Sequence, residues 1–131
     1  MKTAHQLVDE ALAQVQTIDV AELRARLAAA RTHLVDIREA AEIAAEGGIP
    51  GALHVPRGLL EFRVDPTSPW VDAGLTSSGQ DWVLYCGVGW RSALAAKALQ
   101  DMGLTGVSHL GGGFQAWLAA GGAVQRLPTK E

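Results

Sequence analysis

The sequence predicts an α/β fold: an open parallel sheet with helices on both faces. Two observations carry that expectation. Short apolar, β-branched runs at residues 33–37, 52–55, 82–85 and 107–110 read as strands, and apolar stripes at helical spacing alternate with them. Glycines stand where those stripes stop, at Gly47-Gly48, Gly103 and Gly121-Gly122. A chain of 131 residues has room for one domain core and not two.

From the N-terminus, Leu7, Val8, Ala11, Leu12 and Val15 form one face of a helix over residues 4–16, which Thr17-Ile18 ends. Asp19 ahead of Val20-Ala21-Glu22 is a capping-box pattern that opens a second helix, with Val20, Leu23 and Leu27 inward. His33-Leu34-Val35-Asp36-Ile37 reads as a buried strand, and residues 38–45 as a helix rich in good formers. Ile49-Pro50-Gly51-Ala52 has Pro and Gly where a type II turn requires them, delivering the chain into the strand at 52–55.

Residues 58–62 suggest a short helix. Residues 64–79 read as loop, marked by Asp65-Pro66-Thr67-Ser68-Pro69 and Thr76-Ser77-Ser78-Gly79. The strand at 82–85 leads into the single cysteine. Residues 91–102 form a helix with Leu94, Ala95, Ala98, Leu99 and Met102 on one face. After the strand at 107–110, Gly111-Gly112-Gly113 is a helix-entry turn into residues 114–120, and Trp82, Phe114 and Trp117 read as core. His109, at a strand end, reads as a partly buried histidine with its polar needs met.

Bulk properties exclude several classes. The net charge of −3 gives no electrostatic support for nonspecific nucleic-acid or membrane-surface binding. No segment approaches the ~18 consecutive apolar residues of a membrane span. One cysteine excludes an internal disulfide and suits a reducing compartment. Acids at Asp9 and Glu10 fall where a signal peptide needs an apolar stretch, so the expected location is the cytoplasm. The histidines are scattered and there is no second thiol, so no metal site is expected.

Chemistry concentrates at Cys86. A lone cysteine is more often a small buried hydrophobe than a reactive thiol. Here, however, it stands between a strand and a helix in Tyr85-Cys86-Gly87-Val88-Gly89-Trp90-Arg91-Ser92. A sulfur at a helix N-terminus faces unpaired N–H groups, and Gly87 and Gly89 permit the tight backbone path that turns such groups inward. Arg91 adds a permanent positive charge. The segment reads as a cradle for an anion centred on a reactive sulfur, with Trp90 as a wall of its pocket.

Four motifs in register then resemble a known family. Asp36-Ile37-Arg38-Glu39, Ile49-Pro50-Gly51-Ala52, residues 86–92 and Gly112-Gly113-Phe114-Gln115-Ala116-Trp117 follow the order seen in single-domain rhodaneses, and the resemblance covers residues 18–124. It implies a doubly wound, mainly parallel α/β domain at residues 18–131 behind an N-terminal helical extension at 1–17. It implies a sulfurtransferase in which Cys86 becomes a persulfide. The sulfane sulfur would come from a donor such as thiosulfate or a persulfide and pass to a thiol or cyanide acceptor, and a protein could fill either role. No cofactor, nucleic acid or membrane enters this chemistry.

The resemblance also distributes roles. Gly87, Val88, Gly89, Trp90, Arg91 and Ser92 fill the substrate-binding loop and the start of the helix behind it. Asp36 and Arg38 match the family's acid and arginine, read as an ion pair tying loops near the site. Arg57, after the strand at 52–55, stands open between lining the mouth and being a solvated surface cation. One departure is Gly48, where many members carry histidine ahead of Ile-Pro-Gly-Ala.

Two other readings share the scaffold. One is a binding or regulatory module that has kept the loop. The other is a cysteine-dependent phosphatase or arsenate reductase. Phosphatases of this scaffold place five residues between cysteine and arginine; here Gly87, Val88, Gly89 and Trp90 are four, a tighter cradle that suits a sulfane sulfur. They also commonly carry histidine before the nucleophile, where this chain has Tyr85.

Overall fold

In the computed structural model, which describes residues 1–76 and 80–126, one sheet contains five parallel strands. They are β1 (Gln16–Ile18), β2 (Thr32–Asp36), β3 (Leu53–His54), β4 (Asp81–Tyr85) and β5 (Val107–Leu110), in the order β1-β5-β4-β2-β3. The helices are α1 (Ala4–Gln14), α2 (Val20–Ala28), α3 (Ala40–Glu46), α4 (Leu60–Val64), α5 (Ala73–Thr76), α6 (Trp90–Asp101) and α7 (Gly113–Ala119). From β4 the chain passes through α6 to β5 on one side; from β2 it passes through α3 to β3 on the other. The C-terminal ends of β4 and β2 therefore flank the switch point, where open α/β sheets bind ligands.

Strand alternation divides the core. Trp82, Leu84 and, just past the strand, Cys86 face one cluster, which α4 and α6 cover with Leu60, Val64, Ala95, Ala96 and Leu99. Val83 and Tyr85 face the other, covered by Leu23 of α2 and by Phe114 and Trp117 of α7. The doubly wound α/β expectation holds.

The capping box expected at α2 is half formed: the Asp19 side chain accepts from the Glu22 N–H, while the Glu22 carboxylate accepts from Arg26 Nε at 3.2 Å. A full box that the sequence reading passes over, Thr3 with Gln6, opens α1. Ala52 N–H donates to the Ile49 carbonyl at 3.2 Å with Gly51 at φ +83°, the type II turn that Pro50-Gly51 requires. α1 packs along α6, burying Val8 and Ala11, and Gln100 Nε2 donates to the Gln14 carbonyl. No helix among the described residues is long and apolar enough to cross a membrane.

Four expectations are corrected. Gln16–Ile18 is not merely the end of the first helix but an edge strand pairing with β5; with Ile18 alone buried, it carries no alternation to read. Arg38 and Glu39 precede α3 rather than opening it, because Arg38 is drawn fully into the core. The apparent loop at 64–79 contains α5, anchored by buried Leu75; its Ser77-Ser78-Gly79 portion lies outside the described residues, as do residues 127–131 of the expected domain. On α6 the buried positions are Ser92, Ala93, Ala95, Ala96 and Leu99, while Met102 is exposed. That helix lies between sheet and α1, so small residues bury on two sides and a single stripe does not describe it.

Candidate active site

The site is built at the end of β4. Cys86 is 1% exposed, and its Sγ receives N–H groups from Gly89 at 3.2 Å and Ser92 at 3.4 Å. Gly89 sits at φ +100°, which turns its N–H back onto the sulfur and starts α6 immediately afterwards. Of the N–H groups that open α6, that of Ser92 goes to Sγ and that of Ala93 to the Gly89 carbonyl. Those of Trp90 and Arg91 donate to no group among the described residues, as is usual for the first N–H groups of a helix.

The glycine run before α7 supports this loop from behind. Phe114 N–H donates to the Cys86 carbonyl at 2.8 Å and Gln115 N–H to the Gly87 carbonyl at 3.1 Å. Gly113 lies so close that a Cβ there would stand 2.5 Å from the Cys86 oxygen, at a φ of +58°. The helix-entry turn is thus also a buttress of the cysteine loop, a role visible only once the two segments meet.

Arg91 does not stand free. Its guanidinium grips Glu42 of α3 with both forks, Nη1 to Oε1 at 2.6 Å and Nη2 to Oε2 at 2.9 Å, across the switch point. Nη2 also lies over Gly87, where a Cβ would be 3.3 Å away. The hydrogen bonds from Arg91 hold the Glu42 carboxyl down to about 2, and those to Glu42 raise the Arg91 guanidinium above its ordinary value. The cradle therefore combines a cation with its own counter-ion. Nothing in the sequence marks Glu42, because a glutamate in a run of helix formers looks like a solvated residue.

The remaining candidates are spread around this centre. Ser92 Oγ is within 3.5 Å of Sγ, with the thiol donating. Val88 is exposed at the loop's tip, and Trp90 is half exposed, stacked on His5 of α1 with ring centroids 5.6 Å apart. Asp36 and Arg38 lie on the opposite face of the sheet from the sulfur, in the Tyr85 cluster. Arg38 donates to both carboxylate oxygens of Asp36, to the Gly47 carbonyl at 2.7 Å, and lies 4.3 Å over the Phe114 ring. Beside them, next to Gly48, is a cavity of about 240 Å³ lined by Ile43, Ile49, Tyr85 and Gln125. Arg57 ends up past β3, two strands from β4, with Nη1 on Glu61 Oε1 at 2.7 Å. His109 is not partly but fully buried, and both ring nitrogens are engaged, Nδ1 with Ser92 Oγ at 2.9 Å and Nε2 with Thr17 Oγ1 at 2.8 Å.

Known proteins resemble this chain along most of its length. Residues 19–120 match the family model described as Rhodanese-like domain. The chain is 33% identical over 113 residues to the human thiosulfate:glutathione sulfurtransferase, covering 82% of this chain and 96% of that protein. It is 38% identical over 108 residues to a sulfurtransferase of Allochromatium vinosum, covering 82% and 92%. Among solved structures, a Rhodopseudomonas palustris protein of unknown function, a possible tyrosine phosphatase, superposes with a TM-score of 0.90 at 41% identity over 95% of this chain and 96% of that one. A human single-domain sulfurtransferase superposes at 0.67 and 32% identity over 80% and 96%.

Proposed function

Because the chain belongs to the rhodanese-like domain family, we propose that it is a sulfurtransferase whose nucleophile is Cys86. The observation that carries the reading is the pair of N–H groups on Sγ at the start of α6, an arrangement that stabilises negative charge on sulfur without help from bulk water. The thiolate attacks the sulfane sulfur of thiosulfate. The S–S bond of the donor breaks, sulfite leaves with the electron pair, and a Cys86 persulfide forms. An acceptor thiolate then attacks the outer sulfur and leaves as a new persulfide, restoring the Cys86 thiolate. With no second cysteine in the chain, discharge requires an external acceptor. Glutathione is the acceptor that the human relative's name suggests.

The phosphatase reading is less well supported. Four residues between Cys86 and Arg91 give a short loop, and the Arg91 guanidinium is already occupied by a carboxylate. The Glu42 carboxyl reaching that arginine is held down to about 2, so at neutral pH it has no proton to give a leaving group. The deciding experiment assays the purified chain with thiosulfate against cyanide and against glutathione, and in parallel with an aryl phosphate. The expected result is sulfur transfer with sulfite release and no phosphate release. Phosphate turnover without sulfur transfer establishes the phosphatase, and loop occupancy without turnover establishes the binding module.

The Glu42 counter-ion yields a directional prediction. Glu42→Gln removes a negative charge from beside the cradle while keeping an acceptor for Arg91. The thiosulfate KM should fall roughly three- to tenfold at low salt, and less at high salt where such interactions are screened. Steady-state kinetics at two ionic strengths checks it. An unchanged KM means that the Glu42 charge does not reach the donor site.

A further inference from the structure

Behind the nucleophile runs a hydrogen-bonded chain that none of these steps uses. The Cys86 thiol donates to Ser92 Oγ at 3.5 Å, Ser92 Oγ meets His109 Nδ1 at 2.9 Å, and His109 Nε2 meets Thr17 Oγ1 at 2.8 Å. The sheet dictates this alignment. Thr17 and His109 are register partners across β1 and β5, and His109 is in turn the partner of Leu84 on β4, two residues before Cys86. All therefore project from one face of the sheet, the face on which α6 turns Ser92 inward. Cys86, Ser92 and His109 are 1% exposed or less, while Thr17 is exposed on the edge strand.

We propose that this chain is a proton relay connecting the buried Cys86 sulfur to water at the β1 edge, with His109 the positioning residue that sets which way the Ser92 hydroxyl points. A neutral imidazole carries one N–H and one lone pair, so the chain has two consistent directions. With Cys86 as thiol, S–H points to Ser92 Oγ, the Ser92 hydroxyl to Nδ1, and Nε2–H to Thr17. On ionisation the Sγ proton passes to Ser92, the Ser92 proton to Nδ1, the Nε2 proton to Thr17, and the Thr17 proton to water. One proton leaves and no electron changes hands. The Ser92 hydroxyl then points at the thiolate, ready to stabilise it. Burial pushes His109 down to about 4, which keeps the ring neutral for this role. The charged groups bearing on the sulfur are Arg91 and, through it, Glu42; the imidazole's own partners are hydroxyls. An internal route matters because Cys86 is only 1% exposed, and a donor seated over it covers what remains.

The inference rests on Cys86 being the nucleophile, and the test separates the two ideas. On the full chain, ¹⁵N NMR of the His109 ring is followed through ionisation of Cys86, with sulfur loading from thiosulfate measured alongside by mass. The expected tautomer is Nε2–H in the thiol form and Nδ1–H in the thiolate. Thr17→Val should slow sulfur loading roughly tenfold or more and move the rise of its pH profile upward, and Thr17→Ser should restore both. A His109 ring that keeps one tautomer in both states overturns the relay. So does a Thr17→Val pH profile that superposes on the parent's. If the parent never loads sulfur, the nucleophile assignment is what fails, and the tautomer still judges the relay.

Discussion

Replacing Cys86 with serine is expected to reduce sulfur transfer by at least about a thousandfold, to the level of the uncatalysed exchange, because a hydroxyl cannot carry a sulfane sulfur. The fold should survive. Serine is nearly isosteric, and its oxygen can take the Gly89 and Ser92 N–H groups that now reach Sγ. Any cost comes from placing a more polar atom at a 1% exposed position, about 1 kcal/mol when its hydrogen bonds are met. Kinetics and urea unfolding on the same preparation test both halves. Substantial activity in a folded Cys86→Ser protein would remove Cys86 from the mechanism.

Arg38→Met should produce the largest loss of stability, on the face of the sheet away from the sulfur. The substitution keeps much of the side chain's volume but removes the guanidinium that neutralises Asp36 and binds the Gly47 carbonyl. Asp36, itself 2% exposed, is left as an uncompensated buried carboxylate, a change that costs about 3–5 kcal/mol. The flat contact of Arg38 over Phe114 is lost as well. The urea midpoint should fall with little change in slope. The double variant Asp36→Leu, Arg38→Met should recover part of the loss, since it removes the stranded charge. A single variant as stable as the parent would mean that the pair contributes nothing net.

How much of this the sequence discloses depends on how local each signal is. The cysteine loop is contiguous: strand, Cys86, two glycines, Arg91-Ser92 and a helix announce a sulfur at a helix N-terminus before any partner is known. Asp36 and Arg38 stand two apart in sequence, at the end of β2 and just past it, so their pairing is also readable. The features that escape are those joined across long separations by elements too short to show a period. β1 buries only Ile18, and Thr17 becomes meaningful only when β5 sets His109 opposite it. Glu42 and Arg91 come from crossovers that leave the switch point in opposite directions, and nothing local to either marks the other. Gly113 looks like an ordinary helix entry until its closeness to the Cys86 carbonyl shows why a side chain is forbidden there.

Whether sulfur resides on Cys86 decides the mechanism most directly. Incubating the folded chain with thiosulfate and measuring its intact mass should show a gain of one sulfur atom, mapped to Cys86, discharged by cyanide or glutathione and absent from Cys86→Ser. A folded chain that gains no sulfur, or gains it away from Cys86, is not a sulfurtransferase acting through a Cys86 persulfide.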